Sequence, residues 1–106
     1  MKKIECVIRQ DKLKDLAESL RLAGAGGLTA TETKGFGRET TRPQNYLFLP
    51  KTKVEVYVTD EQVEKITSVI IKCCKEGALG SGKIAILPMD DCIRVRTEER
   101  GDEAIF

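Results

Sequence analysis

Hydrophobic periodicity along this chain changes repeatedly between the two-residue repeat of a β-strand and the repeat of about 3.6 residues of an α-helix. Ile4, Cys6 and Ile8 alternate with their neighbours, which predicts a strand with one buried face. Beyond Asp11, a candidate helix N-cap, apolar residues recur at helical spacing as far as Ala23. The glycine-rich stretch that follows predicts the end of this helix, because glycine accepts positive φ angles without strain.

A second strand follows this first helix, and the pattern of a strand followed by a helix then occurs once more. Further strands are predicted at residues 28–34, 51–58 and 83–87. Thr59 and Gln62 have the spacing of a capping box, which predicts a second helix that ends near residue 74. The order strand–helix–strand–strand–helix–strand predicts an α+β, ferredoxin-like fold in which two helices cover one face of an antiparallel sheet. Self-association would cover the other face.

Length and composition limit the function classes that this chain can belong to. Its 106 residues suit a single domain, and its net charge of +1 argues against bulk binding to nucleic acid or to a membrane. Because the chain has no histidine, histidine-based triads and most catalytic zinc sites are excluded. We recognise neither a signal peptide nor a membrane span in the sequence, and we expect a cytoplasmic protein.

The cysteines allow two interpretations. Cys6, Cys73, Cys74 and Cys92 show no C-x-x-C spacing. In the first interpretation they are small apolar residues that stay reduced in the cytosol. In the second, Cys92 or the adjacent pair senses redox conditions, which requires an exposed and activated thiolate.

Three clusters combine positive charge with glycine-rich or extended backbone. Lys34-Gly35-Phe36-Gly37-Arg38 follows the second strand, and Gly77-Ala78-Leu79-Gly80-Ser81-Gly82-Lys83 precedes the fourth. Arg94-Val95-Arg96 lies in a segment predicted to be extended, which would turn both guanidinium groups to one side. Together the three clusters supply the components of a polyphosphate site.

Each cluster also has an ordinary structural interpretation. The first is a glycine-rich turn, the second is a helix C-cap followed by a turn, and the third is a pair of solvated arginines bound to nearby carboxylates, namely Glu98, Glu99, Asp102 or Glu103. The second is not a P-loop, since its glycines follow a helix and lead into a strand. Because no spacing marks a general acid–base pair and no nucleophile has a base partner, we predict a non-enzymatic binding protein.

In these residues the chain resembles the PII signal-transduction family over nearly its whole length. The resemblance is carried by Met1-Lys2-Lys3-Ile4-Glu5, by residues 29–38, and by Phe48-Leu49-Pro50-Lys51, Gly80-Ser81-Gly82-Lys83-Ile84 and Ile93-Arg94-Val95-Arg96-Thr97. It implies a ferredoxin-like subunit of a homotrimer, in which residues 1–106 form a single domain. The T-loop would then span about residues 37–50, the B-loop about 75–83, and the C-loop with the tail about 94–106.

The resemblance also implies that an adenine nucleotide (ATP, ADP or AMP) binds in clefts between neighbouring subunits. The nucleotide-binding residues would be Thr29, Gly35, Phe36, Gly37, Arg38, Tyr57, Val58, Gly80, Ser81, Gly82, Lys83, Arg94 and Arg96. Thr29 would contact the adenine, while Lys83 and the two arginines would hold phosphates. The T-loop would change shape with the ligand and contact a regulated protein, either a transporter or a metabolic enzyme. No covalent cofactor is implied.

The chain departs from the family pattern in and near the T-loop. The segment between Arg38 and Phe48 is shorter than usual and lacks the R-G-A-E-Y stretch whose tyrosine is uridylylated, so we do not predict that modification at Tyr46. Glu39 stands where relatives have a glutamine that helps to hold magnesium and 2-oxoglutarate, and an aspartate is replaced by Ser81.

A carboxylate at position 39 suits Mg²⁺ but repels a dicarboxylate. We therefore expect Glu39 and Lys51 to form a site for magnesium or for a small anion such as bicarbonate, without classical 2-oxoglutarate sensing. The leading hypothesis is a trimeric sensor of adenine nucleotides. The alternatives are a sensor of bicarbonate or of a cyclic dinucleotide, a weak ATP hydrolase, and a structural trimer with empty clefts.

Overall fold

The computed structural model describes residues 1–37, 48–75 and 82–106. Among these residues, one antiparallel sheet has the strand order β2-β3-β1-β4. Its strands are β1 (Lys2–Ile8), β2 (Thr29–Gly35), β3 (Leu49–Val58) and β4 (Ile84–Pro88). The helices are α1 (Leu13–Leu22), α2 (Val63–Cys74) and a short α3 (Asp102–Ile105). This topology confirms the predicted ferredoxin-like fold.

The core lies between one face of the sheet and the first two helices. The register pairs Ile4 with Val56 and Cys6 with Val54, so the alternating apolar residues of the two central strands share one face. Both helices bring an apolar stripe to that face. The buried core residues are Ile4, Cys6, Ile8, Leu16, Leu20, Val54, Val56, Val58, Ile66, Ile70 and Cys74.

The capping box predicted at the start of the second helix is present. The backbone N–H of Thr59 donates to the Oε1 atom of Gln62 at 3.0 Å, and the Thr59 side chain accepts from the backbone of Gln62 in return. The amide of Gln62 also donates to the Gly24 carbonyl at 3.0 Å. Gly24 has a φ of +91°, in the left-handed region that favours glycine, so this contact joins the end of α1 to the start of α2.

Several predicted boundaries are wrong in detail. Asp11 is not an N-cap, because it lies inside a short 3-10 turn at Gln10–Lys12, where it pairs with Arg9. β3 begins at Leu49 rather than at Lys51, since the ladder with β2 continues to the end of β2. Proline is tolerated at position 50 of β3 because β1 pairs with β3 only as far as Thr52. The N–H group that Pro50 lacks is therefore not needed for a hydrogen bond to β1.

The last turn of α2 buries one of two adjacent cysteines. Cys74 is buried, whereas Cys73 is only partly so. The predicted C-cap, Gly77, lies outside the described residues, and the helix ends at a C-cap of extended conformation, Lys75.

The other face of the sheet carries a compact network of four charged residues. The Nζ atom of Lys3 lies 3.1 Å from a carboxylate oxygen of Glu55 and 3.5 Å from one of Glu5. The Nζ atom of Lys53 lies 3.4 Å from Glu5 and 4.0 Å from Glu55. The hydrogen bond to Glu55 raises the pKa of Lys3. The four charges therefore neutralise one another in the middle of an otherwise uncovered face.

Replacing Thr59 by alanine tests the capping box. Thr59→Ala removes the side-chain acceptor at the start of α2 and should lower the free energy of unfolding by about 1 kcal/mol. Ser68→Ala, at an exposed position inside α2, is the matched control. Urea denaturation followed by circular dichroism measures both variants. Equal midpoints for the two would show that the capping box contributes nothing to stability.

Candidate functional site

The glycine-rich cluster at the end of β2 lies beside an aromatic contact. Gly35 pairs with Leu49 at the last position of the β2–β3 ladder. Immediately beyond it, the rings of Phe36 and Phe48 pack edge to face, with their centroids 5.7 Å apart and their planes at 66°. The contact joins the two segments on either side of residues 38–47, so it defines the base of the predicted T-loop. Gly37 is exposed there.

The second cluster contains a position that requires glycine. Gly82 has a φ of +90°, and a Cβ atom at this position would lie 2.5 Å from the carbonyl oxygen of Val7. Lys83 follows it, exposed to solvent and without an ion pair to any residue in the described ranges. Its ammonium group is therefore available to an anion.

A small cavity lies beneath this second cluster. It measures about 170 Å³ and is lined by Cys6, Ile8, Ile70, Ile71, Cys74, Lys75, Gly82, Lys83 and Ile84. Ligand pockets usually have volumes of about 300–1,000 Å³. This space is therefore too small for a nucleotide by itself.

Two of the thiols are held in their neutral form. Cys6 and Cys74 are buried and free of disulfides. Burial raises the pKa of the Cys6 thiol to about 11, and burial is also the largest cause of the raised pKa of Cys74. Because the thiolate is the reactive form, these two residues act as small apolar side chains, as the first interpretation of the cysteines predicts.

The segment of the third cluster is not extended. The backbone N–H of Arg94 donates to the Glu99 carbonyl at 2.9 Å, and the N–H of Glu98 donates to the Arg94 carbonyl at 2.8 Å. Residues 95–97 form the turn between them, and Glu98 has a φ of 64°. The prediction of an extended segment is therefore wrong, because hydrogen bonds between its two arms fold residues 92–101 into a hairpin. The alternating geometry that would align both arginines does not apply.

The two arginines have different surroundings. The Nη2 atom of Arg94 donates to the Glu103 carbonyl at 2.8 Å and also to the Phe106 carbonyl. Its Nε atom lies 3.4 Å from a carboxylate oxygen of Glu99, as the alternative interpretation of this cluster predicts. Arg96 is exposed and makes no hydrogen bond or ion pair within the part of the chain that the structure describes.

Asp91 holds the base of this hairpin. Its carboxylate accepts hydrogen bonds from the backbone N–H of Cys92 at 2.7 Å and of Gly101 at 3.2 Å. It also accepts one from the guanidinium of Arg100 at 2.9 Å. These contacts, the Cys92 N–H first among them, lower the pKa of Asp91. Sequence reasoning missed this residue, since an aspartate before a turn is common and only the fold brings Gly101 to it.

The remaining candidates lie on strands. Thr29 is exposed at the start of β2, and Tyr57 is half-exposed on the uncovered face of the sheet. The side chain of Val58 is fully buried, so only its backbone is available to a ligand. Lys51 lies opposite Thr33 and is partly exposed. The candidates Arg38, Glu39, Gly80 and Ser81 lie outside the described residues, as does Tyr46.

A single chain does not bring the three clusters together. β2 and β4 are opposite edges of the sheet, with β3 and β1 between them. Strands lie about 4.8 Å apart, so Gly35 and Gly82 are separated by roughly 14 Å across the sheet. Arg94 follows the other end of β4. The described parts of the three clusters therefore do not meet within one chain.

Comparison with known proteins finds one family along nearly the whole chain. The model of the family described as nitrogen regulatory protein P-II matches residues 1–99. Nitrogen regulatory protein P-II of Pasteurella multocida is 44% identical over 112 aligned positions, which cover 99% of this chain and all of the relative. The corresponding protein of Cereibacter sphaeroides is 41% identical with the same coverage. The crystal structure of Arabidopsis thaliana PII bound to citrate has a TM-score of 0.83, with 35% identity, and covers 98% of this chain and 88% of that one.

This chain belongs to the nitrogen regulatory protein P-II family. It is therefore a regulatory protein of the PII signal-transduction type. The aligned length of 112 positions exceeds its 106 residues, so this PII chain lacks at least six positions that the Pasteurella relative has. The short segment between Arg38 and Phe48 is the predicted place of this difference.

The described part of the PII chain contains neither a membrane-spanning helix nor a cluster of metal ligands. None of the described helices is long and apolar enough to span a bilayer. Within residues 1–37, 48–75 and 82–106, no group of three or more histidine, cysteine, aspartate or glutamate side chains has a geometry that would hold a metal ion.

The hairpin of this PII protein should be sensitive to acid. Because the folded-state pKa of Asp91 is lowered, its contribution is complete above the unfolded-state pKa and is lost as pH falls through the folded-state pKa. Protection of the Cys92 and Gly101 amides against exchange, corrected for the intrinsic pH dependence of amide exchange, should therefore fall at acidic pH. Asp91→Asn should exchange faster already at neutral pH, and Asp90→Asn is the adjacent control. Equal exchange in both variants would contradict the role of Asp91.

Proposed function

We propose that this PII protein binds adenine nucleotides in clefts between neighbouring copies of a homotrimer and signals energy state to a protein target through residues 37–50. The observation that carries the proposal is the position of the three cationic clusters. They lie on opposite edges and opposite ends of one sheet. Neighbouring copies can bring the β2 edge of one chain to the β4 edge of the next, which a single chain cannot do.

The uncovered sheet face supports assembly. Burying isolated charges is unfavourable, but Lys3, Glu5, Lys53 and Glu55 already neutralise one another within one chain. Tyr57, half-exposed, lies on the same face as this network. A second and third copy can therefore cover the face without leaving any of these four charges unpaired.

The positive charges of two exposed residues favour an anionic ligand. Lys83 is exposed beside Gly82, whose φ is +90°, and Arg96 is exposed on the hairpin. Ammonium and guanidinium groups form strong, charge-assisted hydrogen bonds with phosphate oxygens. The structural neighbour from Arabidopsis was crystallised with citrate, which is also a polyanion. We therefore favour ATP, ADP or AMP as effector ligands, with magnesium as a companion ion and no enzymatic turnover.

The rest of the proposal concerns the target. The segment at residues 37–50 would take a ligand-dependent shape and contact a transporter or a metabolic enzyme, with the protein acting in the cytoplasm. A change of shape transmits a signal only if the ligand favours one loop state over the other. The paired rings of Phe36 and Phe48 join the two sides of the base of this segment.

Calorimetry tests nucleotide binding. ATP, ADP and AMP are titrated into the purified protein, whose sedimentation should give a mass three times that of the 11.8 kDa chain. Lys83→Ala should weaken nucleotide binding by about 1–3 kcal/mol, because a charge-assisted contact is lost. Lys14→Ala, on the exposed surface of α1, is the matched control. Absence of saturable binding of every adenine nucleotide would overturn the proposal.

A second variant tests why 2-oxoglutarate would be excluded. Glu39→Gln restores the residue type that relatives carry and removes a charge that repels a dicarboxylate. We expect this variant to bind 2-oxoglutarate in the presence of MgATP, while the parent protein does not. Glu32→Gln, on the exposed part of β2, is the control. If Glu39→Gln still does not bind 2-oxoglutarate, the shorter loop is the better explanation for the exclusion of that ligand. Bicarbonate and cyclic dinucleotides belong in the same titration, since binding of either would favour a different effector.

A further inference from the structure

The guanidinium group of Arg94 holds the end of the chain, which we call the tail and define as residues 102–106. Both tail contacts use the Nη2 atom, which donates to the carbonyl oxygens of Glu103 and Phe106. Glu99 faces the Nε atom on the other side, 3.4 Å away. In this structure Arg94 is therefore a tail-binding residue.

The geometry of a guanidinium group means that these contacts limit how Arg94 can bind an anion. It presents five N–H donors in a fixed plane, and it can grip an oxyanion bidentately along its Nε–Nη2 edge or its Nη1–Nη2 edge. Both edges need a proton of Nη2. Because the two Nη2 protons are directed at two tail carbonyls, neither edge is free for a phosphate group while the tail is docked.

The remaining donor on one of these edges is not hydrogen-bonded within the described residues. The Nε atom of Arg94 is buried, and its ion pair with Glu99, at 3.4 Å, does not have hydrogen-bond geometry. Buried donors are nearly always satisfied in folded proteins, so an unsatisfied one needs an explanation. A ligand oxygen on the Nε–Nη2 edge would satisfy Nε, but it would need one of the Nη2 protons that the tail now holds.

Close packing between the backbone at Gly26 and the backbone of the tail also holds the tail in place. A Cβ atom at Gly26 would fall inside the van der Waals radius of the Ile105 carbonyl oxygen and 3.1 Å from the Cα atom of Phe106. Ile105 itself is 7% exposed, so it anchors the tail in an apolar site. At the adjacent Gly27, a Cβ atom would meet nothing within 4 Å. Gly26 therefore permits docking that a larger residue would prevent.

We infer that Arg94 is shared between the tail and the anionic ligand, so that a ligand that takes its Nε–Nη2 edge releases residues 102–106. Occupancy of the site is then reported at the chain end as well as at the T-loop. The inference rests on the proposed function, which supplies the phosphate that Arg94 would bind. It adds a competition within one chain and a second element that responds to the ligand.

A single tryptophan can report the state of the tail. The chain contains no tryptophan, and Phe106 is 55% exposed, so Phe106→Trp places one probe on the tail with little disturbance. ATP is titrated while calorimetry measures binding and fluorescence anisotropy measures tail mobility. We expect the anisotropy to fall over the concentration range in which ATP binds, and the amides of residues 102–106 to exchange faster. ATP binding with an unchanged tail would overturn the inference.

Two glycine variants test the competition directly. Gly26→Ala should release the tail without ligand and bind ATP about 5- to 10-fold more tightly, because the competing hydrogen bonds are gone. Gly27→Ala is the matched control and should behave as the parent protein. Should Gly26→Ala fail to fold, Ile105→Ser releases the tail by removing its apolar anchor. Equal or weaker ATP binding by a folded, tail-released variant would overturn the inference.

The outcomes separate this inference from the proposed function. If neither the parent protein nor the tail-released variants bind ATP, the proposed function fails and the inference fails with it. If ATP binds normally and the tail stays docked, only the inference fails. Arg94→Ala should release the tail and weaken ATP binding together, and a docked tail in this variant would also count against the inference.

Discussion

The structure depends on burial of one face of a four-stranded sheet beneath two helices. Ile4 and Val56 lie opposite each other at the centre of that face and are essentially inaccessible to solvent. Each buried side chain of this kind contributes about 1.5–3 kcal/mol to folding. Because α1 and α2 both lie on this side, neither helix covers the opposite face or the two edges of the sheet. The position of the core therefore leaves assembly and binding to the remaining surfaces.

Backbone contacts that only glycine allows then place the loops and the tail relative to this core. Gly82 brings the start of β4 against the Val7 carbonyl, and Gly26 brings the tail against the end of α1. Such contacts are rigid, since a backbone carbonyl cannot move aside as a flexible side chain can. They set the position of Lys83 on one end of the sheet and help to set that of Arg94 on the other. These two candidate cations are thus positioned by small residues rather than by the core itself.

Membership of the PII family and the position of the charged clusters lead to the same functional hypothesis. The family match shows a regulatory protein, and the separation of the clusters across one sheet explains why the ligand would bind between copies. The charges of Lys3, Glu5, Lys53 and Glu55 suit a face that is covered on assembly. Arg94 adds a feature that the family match does not contain, because the Nη2 atom of its guanidinium group donates to the tail. On the inference drawn above, a ligand that grips this residue bidentately would displace part of the same chain.

The order of the elements, the capping box at Thr59 and Gln62, and the buried face of β1 are all predictable from the sequence, because they follow from local periodicity and short-range hydrogen bonds. Motifs spread along the chain also identify the family. That Pro50 lies in a strand, that Arg94 and Arg96 do not share one side, and that Asp91 and Gly26 hold the hairpin and the tail become visible only in the folded chain. Those features depend on residues far apart in sequence, such as Gly101 with Asp91 and Ile105 with Gly26, whose contacts local patterns do not encode.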